Sequence, residues 1–297
     1  MIVKKRKWIV KLFLICFALS SFHGMAQRAP AEFSLYAAGG VSTYCFQPAP
    51  KKSSSVGFSS DFGIGFTGFF SRQMGIHVGV GFGLFNVKSK VANLKTFTPN
   101  LYENSSNLLF DLHSTLSGYT EIHKSLFLNI PLMLQFQTQQ KQYWSWKQSP
   151  KPNFYAMGGI KVLFMVDNKY EASVRSLTNE AYFPELKNWA ATQKFIGFGE
   201  FENGYYNSKK MEFGVMAMFA LEMGVKWWLG NKVCIYSGAF FDCALNDPIK
   251  DNRKDYKNYI YEENLKDLSI LKVANKANFM VAGIKLRVAF SKLQRNY

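Results

Sequence analysis

The chain has 297 residues, of which 48% are hydrophobic, 16% aromatic and only 19% charged, a balance that excludes an intrinsically disordered polypeptide. Its formal charge of +16 is strongly basic, although Lys4, Lys5, Arg6, Lys7 and Lys11 crowd the N-terminus. Four cysteines in a chain of this size exclude a disulfide scaffold.

Residues 1–26 have the layout of an export signal. The positive segment 2–11 is followed by an apolar stretch over 12–22. Gly24-Met25-Ala26 then offers small residues to a signal peptidase, with Gln27 as the new N-terminus. The apolar stretch is too short to cross the ~30 Å of bilayer hydrocarbon as a helix. Cys16 follows Ile15 rather than a small residue, which argues against lipid attachment there. No later segment offers ~20 consecutive apolar residues. The exported chain is therefore expected either to be soluble or to cross a membrane as a closed β-barrel, which leaves no unpaired backbone in lipid.

Eight runs with an apolar residue at every second position follow, near 32–43, 57–70, 75–87, 125–138, 153–167, 211–228, 232–245 and 277–291. The third carries Ile76, Val78, Val80, Phe82 and Leu84, and the last Met280, Ala282, Ile284, Leu286, Val288 and Phe290. Period two over such lengths predicts strands with one apolar face. Connections 71–74 and 229–231 are tight, 139–152 is intermediate, and 45–56, 88–124, 168–210 and 246–276 are longer or more polar. Short turns on one side and long loops on the other predict an all-β fold. The expected architecture is an eight-stranded antiparallel up-and-down transmembrane β-barrel over 27–297, with long extracellular loops and both termini in the periplasm. Phe69, Phe70, Tyr143, Trp144, Trp146, Trp227 and Trp228 gather near strand ends, where amphipathic rings form girdles at the membrane boundary.

Alternation alone does not say which face meets lipid, since a lipocalin-like soluble barrel also alternates. The second face decides. It reads His77, Gly79, Gly81, Gly83 in the third run and Gly57, Ser59, Asp61, Gly63, Gly65, Thr67 in the second. A water-facing surface carries Lys, Glu and Thr; a glycine row suits a crowded barrel interior. The same set holds charges of both signs: Glu32, Asp61, His77, Lys161, Glu222, Lys226, Asp242, Lys285 and Arg287. Isolated buried charges cost several kcal/mol, so these are expected to pair and plug the lumen. Because the first and last runs close the barrel, Glu32 is expected to meet Lys285 or Arg287.

Other motifs carry less. Gly63, Gly65 and Gly68 fit the dinucleotide spacing G-x-G-x-x-G, but the strand runs straight through them with no helix to hold a pyrophosphate. His77, His113 and His123 have no metal-ligand spacing, and no nucleophile elbow is present. Catalytic, cofactor and metal sites are therefore not expected. Cys45, Cys234 and Cys243 read as small packing residues. Export excludes nucleic acid in practice, and the basic charge is expected at the loops and rim, near anionic lipid phosphates.

Tyr36-Ala37-Ala38-Gly39-Gly40, the run 126–134 (LFLNIPLML), Gly197-Phe198-Gly199 and the segment 236–247 (YSGAFFDCALND) together resemble the Bacteroidetes-type outer-membrane β-barrel family. The likeness is to OmpA-like barrels and, more distantly, to PorT-like ones. It covers almost all of 28–291. It implies a barrel whose last strand is read by the assembly machinery. Pro131, inside a membrane strand, lacks an N–H and is expected at a bulge. The expected role is structural and interactive, with outer-membrane lipid including lipopolysaccharide and envelope or surface proteins as partners. A narrow passive pore and an accessory part of a secretion or assembly machine are the alternatives.

Overall fold

The computed structural model describes residues 31–47, 53–103, 108–138, 152–192, 197–210, 213–229, 232–247, 249, 269–273 and 276–291. The export signal, Tyr143, Trp144 and Trp146 lie outside the described residues. The strands are β1 (Ala31–Gln47), β2 (Ser53–Phe69), β3 (Met74–Glu103), β4 (Leu108–Gln137), β5 (Asn153–Phe183), β6 (Asn188–Ala190), β7 (Gly199–Lys210), β8 (Met216–Leu229), β9 (Val233–Ala244) and β10 (Lys276–Ser291). One short helix, α1 (Ile270–Val273), precedes the last strand.

Eight of these strands form a closed antiparallel ring in the order β1-β2-β3-β4-β5-β8-β9-β10, and β10 pairs back onto β1 from Glu32 opposite Ser291 to Gln47 opposite Lys276. Closure leaves no free edge around the ring, so every strand satisfies its backbone polar groups sideways. The alternation decides what each wall presents. Phe58, Phe62, Leu84, Leu132, Ile284 and Leu286 point outward and are 56–71% exposed. A soluble barrel would bury these side chains; here the bulky apolar set forms the outer surface, which is the arrangement a lipid solvent requires. From Met74 to Leu84 the outward band on β3 covers ten residue steps, about 33 Å along a strand and about 25 Å in height at a tilt near 40°. That height matches bilayer hydrocarbon.

Beyond the band the structure departs from the predicted loops. β3 and β4 run for 30 residues each and β5 for 31, so 88–124 is largely one continuous hairpin and 168–183 continues β5. β6 and β7 add to β5 along this extension. The 45–56 connection also shortens, because β1 reaches Gln47 and β2 starts at Ser53. The reason is a second core above the membrane band. Val91, Leu94, Leu116, Tyr119, Tyr170, Val174 and Leu177 pack together there with Ile270 and Leu271 of α1. At the tip, Phe110, Leu112, Leu101, Ala181 and Phe198 form another cluster. Each strand keeps one apolar face, but the opposite face meets water, so most outward positions there are polar, Phe97, Tyr102 and Leu109 excepted. Gly118 resets the alternation on β4: its φ of 64° lies in the left-handed region, and Leu116 and Tyr119 on either side both face the core.

Pro131 lies on the lumen side of β4 without a bulge. The register with β3 is unchanged across it, and only the pairs at Gly79 and Val80 drop out of the ladder. The bulge in this region falls instead on β5, where Val166 is left unpaired as the partners step from Leu126–Asp167 to Phe127–Met165. Gly79 makes room for the ring, since a Cβ there would sit 3.2 Å from Pro131 Cγ.

Candidate functional site

The lumen is the place where chemistry-bearing side chains converge. All nine charged or histidine positions read from the alternating pattern are buried there. They are held in layers, starting at the short-turn end. Lys226 Nζ donates to Glu32 Oε1 (2.6 Å) and to Gln137 Oε1 (3.2 Å), and Tyr236 donates to Glu32 Oε2 (2.5 Å). The Lys226 ammonium also lies 4.5 Å from the Trp228 ring centre. Arg287 stacks 3.9 Å over Tyr236 and donates to Gln135 Oε1 (3.3 Å) and His77 Nδ1 (3.4 Å). Thr67 Oγ1 holds the same His77 nitrogen at 2.9 Å.

The next layer holds Glu222, which accepts from Lys285 Nζ (2.8 Å) and Tyr155 OH (2.9 Å). Above it Lys161 Nζ donates to Asp242 (2.6 Å) and lies 3.8 Å from Asp61. Asn129 Nδ2 donates to Asp61 (2.8 Å), and the Tyr36 hydroxyl reaches both. Phe85, Phe127, Phe279 and Tyr44 then close the stack, with ring centres 4.6–5.5 Å apart.

Two results differ from the sequence expectation. Glu32 meets Lys226 across the lumen, not Lys285 or Arg287. Along the β1–β10 seam Lys285 stands opposite Ala38 and Arg287 opposite Tyr36, which puts both well above Glu32. Strand stagger therefore brings β8 to Glu32 and leaves Lys285 for Glu222. The girdle also divides: Phe70 and Trp227 are exposed, but Phe69 is 2% exposed and Trp228 turns inward onto Lys226. Their parity puts them on the lumen face.

The four buried carboxylates Glu32, Asp61, Glu222 and Asp242 face four cations, Lys161, Lys226, Lys285 and Arg287. Neutral groups the pattern did not single out complete the network: Tyr36, Asn129, Tyr155 and Tyr236 donate to the carboxylates, and Gln135 accepts from Arg287 and donates to the Tyr236 hydroxyl. Their signal was available, since each occupies an inward position of its run. Two voids of about 10 and about 20 Å³ remain around Asp61, Lys161 and Asp242, room for about one water each.

The glycine rows are what allow this filling. A Cβ on Gly81 would lie 2.1 Å from the Tyr36 hydroxyl, 2.8 Å from Asn129 Nδ2 and 2.9 Å from Asp61 Oδ1. On Gly83 it would meet the Phe127 ring at 2.2 Å, and on Gly65 the His77 ring at 2.4 Å. Gly81→Val is therefore expected to lose the folded, heat-modifiable form on gels, and Gly81→Ala to cost about 1–3 kcal/mol. Gly68→Ala is the control, because its Cβ would meet nothing closer than 3.7 Å.

Sequence reasoning missed a second buried cluster, at the barrel mouth. The Glu121 carboxylate accepts from Tyr119 OH (2.7 Å), Ser269 OH (2.5 Å) and the Ile270 N–H (2.7 Å), and its other short partner is His123 Nε2. It ties α1 to β4. These residues lie in the segments 88–124 and 246–276, whose mixed polar composition predicts loops.

The closed ring, the outward apolar band and the charge-compensated interior define a transmembrane β-barrel of the outer-membrane type. No protein-family model and no curated protein matches the chain. Among solved structures it is similar to Neisserial surface protein A (11% identity, covering 86% of this chain and 96% of that one, TM-score 0.29). It is also similar to the outer membrane protein OprG from Pseudomonas aeruginosa (11%, 89% and 96%, TM-score 0.34) and to the outer membrane protease OmpT from Escherichia coli (7%, 90% and 97%, TM-score 0.28). The barrel assignment rests on this chain's own ring and surface.

Proposed function

We propose that the chain is a non-enzymatic outer-membrane protein of the Bacteroidetes OmpA-like or PorT-like kind, whose barrel is closed to ions. Its strand extension acts as a rigid mount for contacts with envelope or surface partners. The observation that carries this reading is the filled lumen: among the described residues, ion pairs and rings follow one another from Glu32 to Phe279, around two voids of about 10 and about 20 Å³. That favours a mount over a narrow passive pore. In this reading residues 1–26 are removed on export, the termini face the periplasm and the extension stands outside the cell.

Purified protein in planar bilayers is expected to give no steady channels. Stable large conductance would overturn the closed-lumen reading. Topology has its own test. On intact cells, trypsin is expected to spare Arg72 in the 71–74 turn and to cut within 88–124, 168–210 or 246–276; cleavage after Arg72 would invert the orientation.

A further inference from the structure

We propose that the outer wall of β3, β4 and β5 carries a docking site for the phosphorylated headgroups of membrane lipid at the long-loop end, formed by Lys88, Lys90, Lys124 and Lys169. The outward apolar band ends at Leu84 on β3, at Leu126 on β4 and at Val166 on β5. Lys124 is two residues past Leu126, about 7 Å along the strand and about 5 Å above the band. Polar headgroups occupy a layer of about 5–7 Å on each side of the hydrocarbon, so Lys124 stands within it. Lys169 is the direct cross-strand partner of Lys124, and Asn86 is its partner on the other side. Lys88 and Lys90 continue the outward row of β3, with Lys88 opposite Ile122 on β4 and opposite Val56 on β2. The Lys88 stem reaches down from there to the phosphate level, and Lys90, about 15 Å above the band, adds positive charge over it.

Chemistry points the same way. All four lysines are exposed on one contiguous patch of wall. Two acids share it: Glu171 holds Lys124 at 2.8 Å, and Asp167 holds Lys169 at 3.4 Å. They set the direction of those two ammonium groups and leave the patch net positive. Arg175 lies further along β5, its Cβ close against Gly118. Among the described residues, the far wall presents Cys45, Leu245 and Val215 at its upper end. Acyl chains lie against Leu84, Phe82 and Val166 directly below the lysines. A ligand that joins phosphate to several acyl chains meets both surfaces at once, which a free anion does not.

The site rests on the barrel crossing a membrane, and its test is separate from the tests of lumen closure and topology. Protein in zwitterionic micelles is titrated with diphosphorylated lipid A, with the same lipid after dephosphorylation, and with inorganic phosphate. Bound ligand is read by native mass spectrometry. Wild-type protein is expected to bind the diphosphorylated lipid in a salt-sensitive manner and to bind the other two far more weakly. Lys88→Gln, Lys90→Gln, Lys124→Gln and Lys169→Gln combined are expected to weaken binding by about fivefold per lysine, with heat-modifiable migration retained. Arg72→Gln with Lys232→Gln, at the opposite end, is the control and should change nothing. If the fourfold variant does not fold, the exposed pair Lys88→Gln and Lys90→Gln repeats the measurement. Equal binding by a folded variant, or equal binding of the dephosphorylated lipid or of inorganic phosphate, overturns the proposal.

Discussion

Glu222→Ala is expected to destabilise the barrel by about 3–5 kcal/mol, the usual penalty for leaving a buried charge without its partner. Glu222 is 3% exposed and accepts from both Lys285 and Tyr155. Its loss removes the carboxylate that the Lys285 ammonium donates to, and leaves that ammonium over the Tyr36 ring at 4.3 Å. It also unbalances an interior in which four carboxylates meet four cations. Arg287, held by Gln135, His77 and the Tyr236 face, then lies in an interior of net positive charge. The compensated double variant, Glu222→Leu with Lys285→Met, removes one charge of each sign and is expected to recover most of the loss, because apolar replacement of a whole buried pair is often nearly neutral. Urea unfolding in lipid vesicles, followed by tryptophan fluorescence, measures both. A single alanine that costs less than about 1 kcal/mol would mean that water reaches the pair and the lumen is open.

Acid is expected to release α1 from the barrel mouth. Glu121 lies above the apolar band and is fully buried, facing Tyr119, His123 and the 269–273 segment, with Tyr44 and Tyr170 stacked around the His123 ring. Burial alone would raise its pKa, but the His123 ring, the Ser269 hydroxyl and the Ile270 amide together hold it below the ordinary carboxylate range. A carboxyl whose pKa is depressed by folding contributes stability above its unfolded pKa and loses it as pH falls through the folded one. The contribution is thus intact at neutral pH and declines below about pH 4. Hydrogen exchange of a peptide spanning 269–273, corrected for the intrinsic pH dependence, should show protection at pH 7 that falls in acid. In Glu121→Gln the protection should already be reduced at pH 7, because the amide keeps an acceptor but loses the charge that draws in these donors. The same protection at pH 3 as at pH 7 would show that apolar packing of Ile270 and Leu271 holds the segment alone.

The parts of this protein legible without coordinates are those with a strict period. Alternation along 75–87 or 277–291 has one simple physical solution, a strand with an apolar face. Eight such runs joined alternately by tight and long connections leave few topologies. The glycine rows also carried information forward: Gly63, Gly65, Gly81 and Gly83 are small because Tyr36, His77 and Phe127 fill the space a Cβ would occupy. Above the membrane the same reasoning stopped too early. Once the outward face meets water, its positions become polar, and Val91, Leu94, Leu112 and Leu116 no longer stand out against them. The Gly118 reset of parity hides the pattern further.

Sequence by itself determined the eight membrane strands, the face that each turns to lipid and the set of charges sent inward, since all three follow from the two-residue repeat of an extended chain. Tertiary structure alone decided which charge meets which. Partners in a lumen are set by tilt and stagger around the closed ring, and these place Lys226 of β8 beside Glu32 although β1 is hydrogen-bonded to β10. Likewise only folding revealed that Glu121 anchors Ser269 and Ile270, because the contact joins residues 148 and 149 positions apart and depends on where the mouth of the barrel brings β4 and α1 together.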